Sequence, residues 1–366
     1  EMSGDVVKEW VRDLVDKICS KNPSLGILAG ISTYPLPGWR KGEMVSACHK
    51  AVLHASFYGS SASASFDALS QNISGDVYYG EGDLVKAAKE YRRGLQLDAG
   101  QVNLHNSLGV CLAMMNRKSQ AMACFVRALQ IEETNFLALY NLGLVKESKG
   151  ELSAAYEYLA KALKKFDNEA GTEQILEDLY YRCGMLASET GRFSQAIEFF
   201  NVLPEGAITT GQPARESFYL GLSYYGLGRK QDAMTSLQRA LRYNEFDDRA
   251  MHMLARIYFE EREGDDIARS LLNKCLELEP ENRQYKLSLG EVELRCGNLE
   301  QAKNYLIPCL RTKKYGDRAR LLLGMHYAEN GEPQKAKSWF KRISGRRYLD
   351  PLFRAKFDRL KQRVEQ

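Results

Sequence analysis

Apolar residues recur along most of the chain in a pattern that begins near residue 68 and repeats about every 34 positions. A small residue leads each repeat, and Gly75, Gly109 and Gly143 show the spacing of 34 residues directly. About a dozen positions later comes an alanine, followed four positions on by a large apolar residue, as in Ala121 and Phe125. A glycine or asparagine usually separates the two halves. The pattern predicts two helices joined by a tight turn in every repeat.

Each predicted helical hairpin has an apolar face that it cannot cover alone. Small residues let two helix backbones approach closely, and the large residue fills the space left beside them. Neighbouring hairpins must therefore stack and share a continuous core. The spacing predicts eight repeats, at 68–101, 102–135, 136–169, 177–210, 214–247, 248–282, 283–316 and 317–350. Extra residues near 168–176 and 204–213 are either drifted loops without a role or a hinge between a three-repeat and a five-repeat block.

The small and large positions resemble the tetratricopeptide repeat. Leu108-Gly109 matches the first-helix motif, and Ala121, Phe125 and Ala128 match the second-helix motif. The sixth repeat departs from the pattern, with Ala255 in place of glycine. The resemblance implies an all-α fold, a right-handed superhelical solenoid of eight helix-turn-helix repeats. It also implies an interaction scaffold that binds a peptide or protein segment in a concave groove lined by the first helices.

The final stretch, 351–366, has helical spacing of apolar residues, with Asp350 as a helix cap and Pro351 in the first turn. A terminal repeat needs a cap with one apolar and one polar face, and this helix fits that role. Its basic residues leave RNA binding open as a weaker alternative.

The first 67 residues have a different pattern, with helix, strand, helix and short strand in succession. The strand segment is ILAGISTYP, and amphipathic helices precede and follow it. Such a string cannot close a sheet of its own, so we expect it to be covered by the first repeat or by a second molecule. Self-association through this fragment therefore remains open.

This fragment resembles the C-terminal half of a GGDEF domain, the fold of bacterial diguanylate cyclases. The segments that carry the resemblance run from Leu28 to Pro35 and from Ala51 to Ser61. Ser56 stands where the family has lysine, and Ser60-Ser61 stand where it has Arg-Asn. The chain lacks the GGDEF signature, so we expect no enzymatic activity from it. The resemblance implies a bacterial signalling protein, with the alternative that the repeats regulate a degenerate cyclase or a cyclic di-GMP-responsive protein.

Composition narrows the remaining classes of function. The 51 basic and 47 acidic residues give a net charge of +4, which does not favour nucleic acid as the principal partner. The eight cysteines are scattered and the five histidines lack metal-binding spacing, so we expect reduced thiols, no metal and no cofactor. No apolar run reaches membrane-spanning length, and no signal peptide is evident. These features predict a cytoplasmic protein that does not enter membranes.

Binding residues are expected on the first helix of each repeat, at positions that the core does not need. Exposed aromatic residues, arginines and asparagines there would suit a protein ligand. Arginines in the middle repeats predict a preference for acidic side chains or a carboxylate. The predicted groove residues are Asn106, Tyr140, Asn141, Tyr181, Arg182, Arg215, Phe218, Tyr219, Arg249, His252, Arg256 and Phe259.

Overall fold

A computed structural model describes residues 4–22, 24–166, 173–203, 213–262, 264–343 and 358. Contacts divide the chain into an N-terminal unit, Glu1–Leu186, and a C-terminal unit, Ala187–Gln366. Helical hairpins make up most of both units, which confirms the predicted helix-turn-helix architecture. Among the helices of the described ranges, none has the length and apolar character required to cross a bilayer.

The N-terminal unit opens with a small α/β module whose elements follow the predicted order. Its two strands pair in parallel, with Leu28 opposite Ala62 and Ile31 opposite Ser65, and a helix makes the crossover between them. The elements are α1 (Gly4–Lys21), β1 (Leu28–Ile31), a 3-10 turn (Lys41–Glu43), α2 (Met44–Ala55), a second 3-10 turn (Ser56–Tyr58) and β2 (Ala62–Ser65).

Gly30 brings β1 against the crossover helix at a distance that excludes any side chain. A Cβ atom at this position would lie 2.1 Å from the carbonyl oxygen of Cys48 and 2.7 Å from the backbone nitrogen of Val52. Both neighbours are backbone atoms of α2, so neither can move aside without shifting the helix. The glycine within the apolar strand segment is therefore required by packing.

Part of the α/β module packs against the first repeat, which is one of the two covers that the sequence led us to expect. Trp39 and Phe66 are buried with ring centroids 5.6 Å apart, and the guanidinium of Arg93 lies 4.3 Å from the Trp39 ring centroid. The ammonium of Lys50 pairs with the carboxylate of Glu90, and both side chains are largely buried. Apolar packing and buried charge together join the module to the repeats.

Three hairpins follow in the N-terminal unit, each with a small residue facing a large one. Cβ atoms at Gly75 and Gly109 would lie 2.3 Å from Tyr91 and 2.4 Å from Phe125, so the helices of each hairpin approach as closely as the pattern predicted. The hairpins are α3 (Ala68–Gly80) with α4 (Leu84–Leu97), α5 (Val102–Met114) with α6 (Lys118–Ile131), and α7 (Phe136–Ser148) with α8 (Leu152–Lys165).

The helix α9 (Glu173–Glu189) starts ahead of the predicted repeat boundary at 177. The C-terminal unit then continues the same alternation of helices. These are α10 (Phe193–Val202), α11 (Pro213–Gly226), α12 (Lys230–Tyr243), α13 (Asp248–Glu260), α14 (Asp265–Leu278), α15 (Arg283–Arg295), α16 (Leu299–Leu306), a 3-10 turn (Ile307–Cys309), α17 (Gly316–Glu329) and α18 (Pro333–Phe340).

Several predicted features fall outside the described residues. The capping helix at 351–366 is among them, apart from Asp358, which is helical and exposed. The second insertion, 204–213, is described only at Pro213, where α11 begins, and the first is described only from residue 173 onward, where it forms the start of α9. The roles predicted for these segments therefore stay predictions.

Candidate functional site

All the predicted groove residues lie on the first helix of a hairpin, within α5, α7, α9, α11 or α13. Their exposure differs from the expectation. Tyr181, Phe218 and Tyr219 are buried, with exposed fractions of 7%, 5% and 1%, and Asn106 is 4% exposed. The inference of an exposed aromatic surface at these positions was wrong, because each side chain is covered by its neighbours.

The α11 aromatics are held by a charged cluster within the C-terminal unit. The hydroxyl of Tyr219 donates a 2.9 Å hydrogen bond to Oε1 of Glu189. The guanidinium of Arg249 lies 4.4 Å from the centroid of the Phe218 ring and 3.8 Å from the same Glu189 oxygen. These contacts give Phe218 and Tyr219 a structural role in packing and leave only part of the Arg249 side chain for a ligand.

A second charged cluster occupies the first helices of the N-terminal unit. Arg182 forms ion pairs with Asp178 at 2.6 Å and with Glu147 at 2.8 Å, and Tyr140 donates a 2.7 Å hydrogen bond to Asp178. Burial, reinforced by this hydrogen bond to the carboxylate, raises the pKa of Tyr140 to about 12. With two carboxylates beside it, Arg182 is compensated and is a poor receptor for an acidic ligand.

A groove with a volume of about 670 Å³ lies in the C-terminal unit. We call it the C-terminal cavity. It brings together three of the predicted residues, His252, Arg256 and Phe259, all on α13. Side chains from α15, from α17 and from the segment before α17 also contribute to the lining. Besides the three predicted residues, the lining consists of Ala255, Glu260, Leu272, Gln284, Leu287, Ser288, Glu291, Val292, Lys314, Tyr315 and Arg318.

His252 is a neutral member of this lining. Its Nε2 is 2.9 Å from the hydroxyl of Ser288, and its ring centroid lies 5.0 Å from that of Tyr285. Desolvation lowers the pKa of His252 to about 4, with the positive charges of Arg256 and Arg318 acting in the same direction. At neutral pH the imidazole is therefore uncharged and can form hydrogen bonds with a ligand.

The charged residues of the C-terminal cavity leave a positive excess. Arg256 is 3.3 Å from Glu260, and Arg318 is 3.0 Å from Glu291. Lys314 is exposed and has no carboxylate partner among the residues that the structure describes. With three cations and two anions in the lining, the cavity has a surplus of one positive charge, which lies at Lys314.

Lys314 and Tyr315 are absent from the predicted groove residues because they precede α17, whereas the prediction was restricted to the first helix of each repeat. The signal that points to them is local: two lysines and a tyrosine in succession, at 313–315, in a segment between two helices. Arg215, by contrast, is exposed on α11, and neither it nor Tyr181 and Arg182 line the C-terminal cavity.

The N-terminal unit has a smaller groove of about 310 Å³, which we call the N-terminal cavity. It contains the predicted residues Asn106, Tyr140 and Asn141. The remaining lining is mostly apolar or aromatic, and consists of Asp76, Tyr79, Tyr91, Ser107, Val110, Phe136, Leu137 and Ile175.

The described residues contain no group of three or more histidine, cysteine or carboxylate side chains that could hold a metal ion. The buried thiols are also poor nucleophiles, since burial raises the pKa of Cys111 to about 11 and that of Cys275 to about 12. The two cavities are lined by hydrogen-bonding groups, charged groups and apolar side chains.

Two segments of the chain are similar to a known repeat family. Family models of the tetratricopeptide repeat match residues 137–164 and 219–266. The chain is 25% identical over 228 residues to the human protein O-mannosyl-transferase TMTC3, covering 62% of this chain and 24% of that protein. It is 25% identical over 211 residues to a TPR repeat-containing protein of Methanocaldococcus jannaschii, covering 55% and 36%. A match to the peroxisomal targeting signal receptor of Candida albicans is 32% identical and covers 27% and 17%.

Solved structures similar to the chain include YrrB, described as a TPR protein with an unusual peptide-binding site, at 17% identity and a TM-score of 0.43. That match covers 53% of this chain and 94% of YrrB. MamA matches at 23% identity and a TM-score of 0.39, with coverage of 49% and 92%. The chain spans less than two fifths of the length of each of the curated relatives named above.

Proposed function

We propose that this chain, whose hairpins are tetratricopeptide repeats, is a non-catalytic module that binds an extended segment of another protein. The C-terminal cavity is the main site, and its ligand is a segment with an acidic side chain. Tetratricopeptide repeats mediate protein–protein interactions, and the Candida relative is a receptor for a peroxisomal targeting signal. The observation that carries the proposal is the positive surplus at Lys314 beside an apolar wall.

The cavity has the mixed chemistry that a peptide ligand requires. Phe259 and Leu287 provide apolar walls, while Ser288 and the neutral His252 provide hydrogen-bonding groups that a peptide backbone can use. A carboxylate entering beside Lys314 forms an ion pair without displacing another carboxylate from the described residues. Electrostatic complementarity of this kind determines which segment binds and accelerates its association.

A matched peptide pair tests the proposal. Fluorescence anisotropy would compare labelled Gly-Leu-Glu-Leu-Gly with the same peptide carrying glutamine, and we expect the glutamate peptide to bind about tenfold more tightly, which corresponds to one ion pair of about 1.4 kcal/mol. Lys314→Glu should abolish the preference. Lys274→Glu is the control, because it makes the same charge change at an exposed position of α14 outside the cavity. Equal binding of both peptides would contradict the proposal.

We further propose that the α/β module is the end of a GGDEF-like domain in a bacterial cytoplasmic signalling protein. Parallel sheets normally have both faces covered by helices. In the described residues, β1 and β2 form a sheet of only two strands, which is small for a sheet of this kind. Trp10 and Phe57 are 57% and 73% exposed, so apolar surface of this module remains without cover. In the alternative, the repeats regulate a degenerate cyclase or a cyclic di-GMP-responsive protein. This alternative is based on the same exposed apolar surface.

Fusing the chain to the N-terminal half of a GGDEF domain tests this assignment. We expect the fusion to protect the indole of Trp10 from a fluorescence quencher such as iodide and to raise the unfolding temperature of the module. Unchanged quenching in a folded fusion would argue against a shared sheet. RNA binding by the basic segment 351–366 remains a weaker alternative, and strongly salt-dependent RNA affinity would support it.

A further inference from the structure

The N-terminal cavity contains a single formal charge, and that charge is negative. Asp76 is the acidic residue of this lining, which contains no basic residue, and the aromatic rings of Tyr79, Phe136 and Tyr140 surround much of the remaining space. Tyr79 is 38% exposed and Leu137 is 47% exposed, so the cavity opens to solvent. Its electrostatic character is opposite to that of the C-terminal cavity.

The carboxylate of Asp76 is held in place entirely by neutral groups. The hydroxyl of Tyr91 donates to Oδ1 at 2.7 Å, and Nδ2 of Asn72 donates to Oδ2 at 2.9 Å. Desolvation by the surrounding protein raises the pKa of Asp76, against the effect of the Tyr91 hydrogen bond. No lysine or arginine of the described residues forms an ion pair with it. Each oxygen keeps lone pairs available for a further donor.

The amide of Asn106 adds another hydrogen-bond acceptor to the lining. Its Nδ2 donates to Oδ1 of Asn135 at 3.0 Å, an oxygen that also accepts from the backbone of Ala138, so the orientation of the Asn106 amide is fixed. The Oδ1 of Asn106 is buried and accepts no hydrogen bond from the residues that the structure describes, and the whole residue is only 4% exposed. Buried acceptors are normally paired, so this oxygen favours a ligand that carries a hydrogen-bond donor.

We propose that the N-terminal cavity binds the side chain of a lysine or arginine within the protein segment that this chain recognises. The cation pairs with Asp76 at the rim, and its aliphatic stem packs against Phe136 and Leu137. Aromatic rings beside the carboxylate attract a cation further. The inference rests on the proposed function, because it takes the ligand to be a polypeptide, and it adds a second residue class to the acidic one bound by the C-terminal cavity.

The test uses labelled Gly-Leu-Arg-Leu-Gly and the same peptide with citrulline, which keeps the shape of arginine and lacks its charge. Anisotropy titrations of the full chain should show about tenfold tighter binding of the arginine peptide at low salt. Asp76→Asn should remove this preference, since it preserves the hydrogen bond from Tyr91 while removing the charge. Glu157→Gln, which removes a carboxylate at an exposed position of α8 outside both cavities, is the control and should leave the preference intact.

A second variant keeps the test independent of the effect of Asp76→Asn on folding. Leu137→Arg places a cation at an exposed position of the cavity lining and should weaken binding of the arginine peptide about tenfold, while binding of the glutamate peptide at the C-terminal cavity stays unchanged. Equal binding of the arginine and citrulline peptides would overturn this inference alone if the glutamate preference persists. Loss of every preference would overturn the proposed function with it.

Discussion

The hydroxyl of Tyr219 donates a hydrogen bond to Oε1 of Glu189 at 2.9 Å, and the tyrosine is 1% exposed. A first-helix aromatic that sequence analysis assigned to ligand binding is thus part of the contact between α11 and the end of α9. A residue can therefore lie on a helix that is predicted to line the groove and still have a packing role.

Truncating Tyr219 should therefore destabilise the C-terminal unit. We expect Tyr219→Ala to lower the free energy of unfolding by about 3–5 kcal/mol, because a large buried ring is lost and a cavity remains. Tyr219→Phe is the matched control and should cost only about 0.5–1.5 kcal/mol, the net value of one hydrogen bond. Urea unfolding followed by circular dichroism measures both, and equal effects of the two variants would argue against burial of the ring.

Gly30→Ala should disrupt packing of the crossover helix on β1. The added methyl group would meet backbone atoms of α2, and overpacking of this kind costs about 1–3 kcal/mol or more. Gly42→Ala adds the same methyl group where no atom lies within 4 Å, and should be close to neutral. The unfolding temperatures of the two variants provide the comparison. If Gly30→Ala were as stable as Gly42→Ala, the close approach of β1 and α2 would be wrong.

The buried pair between Lys50 and Glu90 predicts a non-additive result. Lys50→Met should cost about 3–5 kcal/mol, because it leaves a buried carboxylate without its counter-charge. Replacing both residues, with Lys50→Met and Glu90→Leu, should recover most of that loss, since no unpaired charge remains. A double-mutant cycle by chemical denaturation measures the coupling energy. Additive losses would mean that the two groups do not interact.

His252 predicts a loss of stability on acidification. Its pKa in the folded chain is lowered to about 4, below the value of about 6.5 in an unfolded chain, so the unfolded state binds a proton first as the pH falls. The resulting loss of stability should develop between about pH 6.5 and pH 4. His252→Gln should remove this part of the pH dependence. An NMR titration that placed the imidazole pKa above 6.5 would contradict the assignment.

Sequence periodicity could predict the hairpins because close packing of two helices requires a small residue opposite a large one at fixed positions. Gly109 must be small since Phe125 occupies the adjacent space, and the same relation recurs from one repeat to the next. The order of the N-terminal elements was predictable in the same way, but β1 spans only Leu28–Ile31 and ends before Pro35.

Exposure within the binding face was less predictable because it depends on side chains from neighbouring repeats. Tyr140 and Tyr219 occupy first helices alike, yet one lines a cavity while the other is fully covered. The charge balance of each cavity also depends on ion pairs between helices, such as that of Arg318 with Glu291. Lys314 escaped prediction because it belongs to no helix.

Site-specific photo-crosslinking tests the central claim most directly. A benzophenone amino acid would replace Tyr315 in the C-terminal cavity or, as a control, Ile267, which is 47% exposed on α14 and outside the cavity. With the labelled glutamate peptide, we predict a crosslinked product at position 315 that an excess of unlabelled glutamate peptide suppresses, and none at position 267. Equal crosslinking at both positions, or a product at 315 that the competitor leaves unchanged, would contradict binding in the cavity.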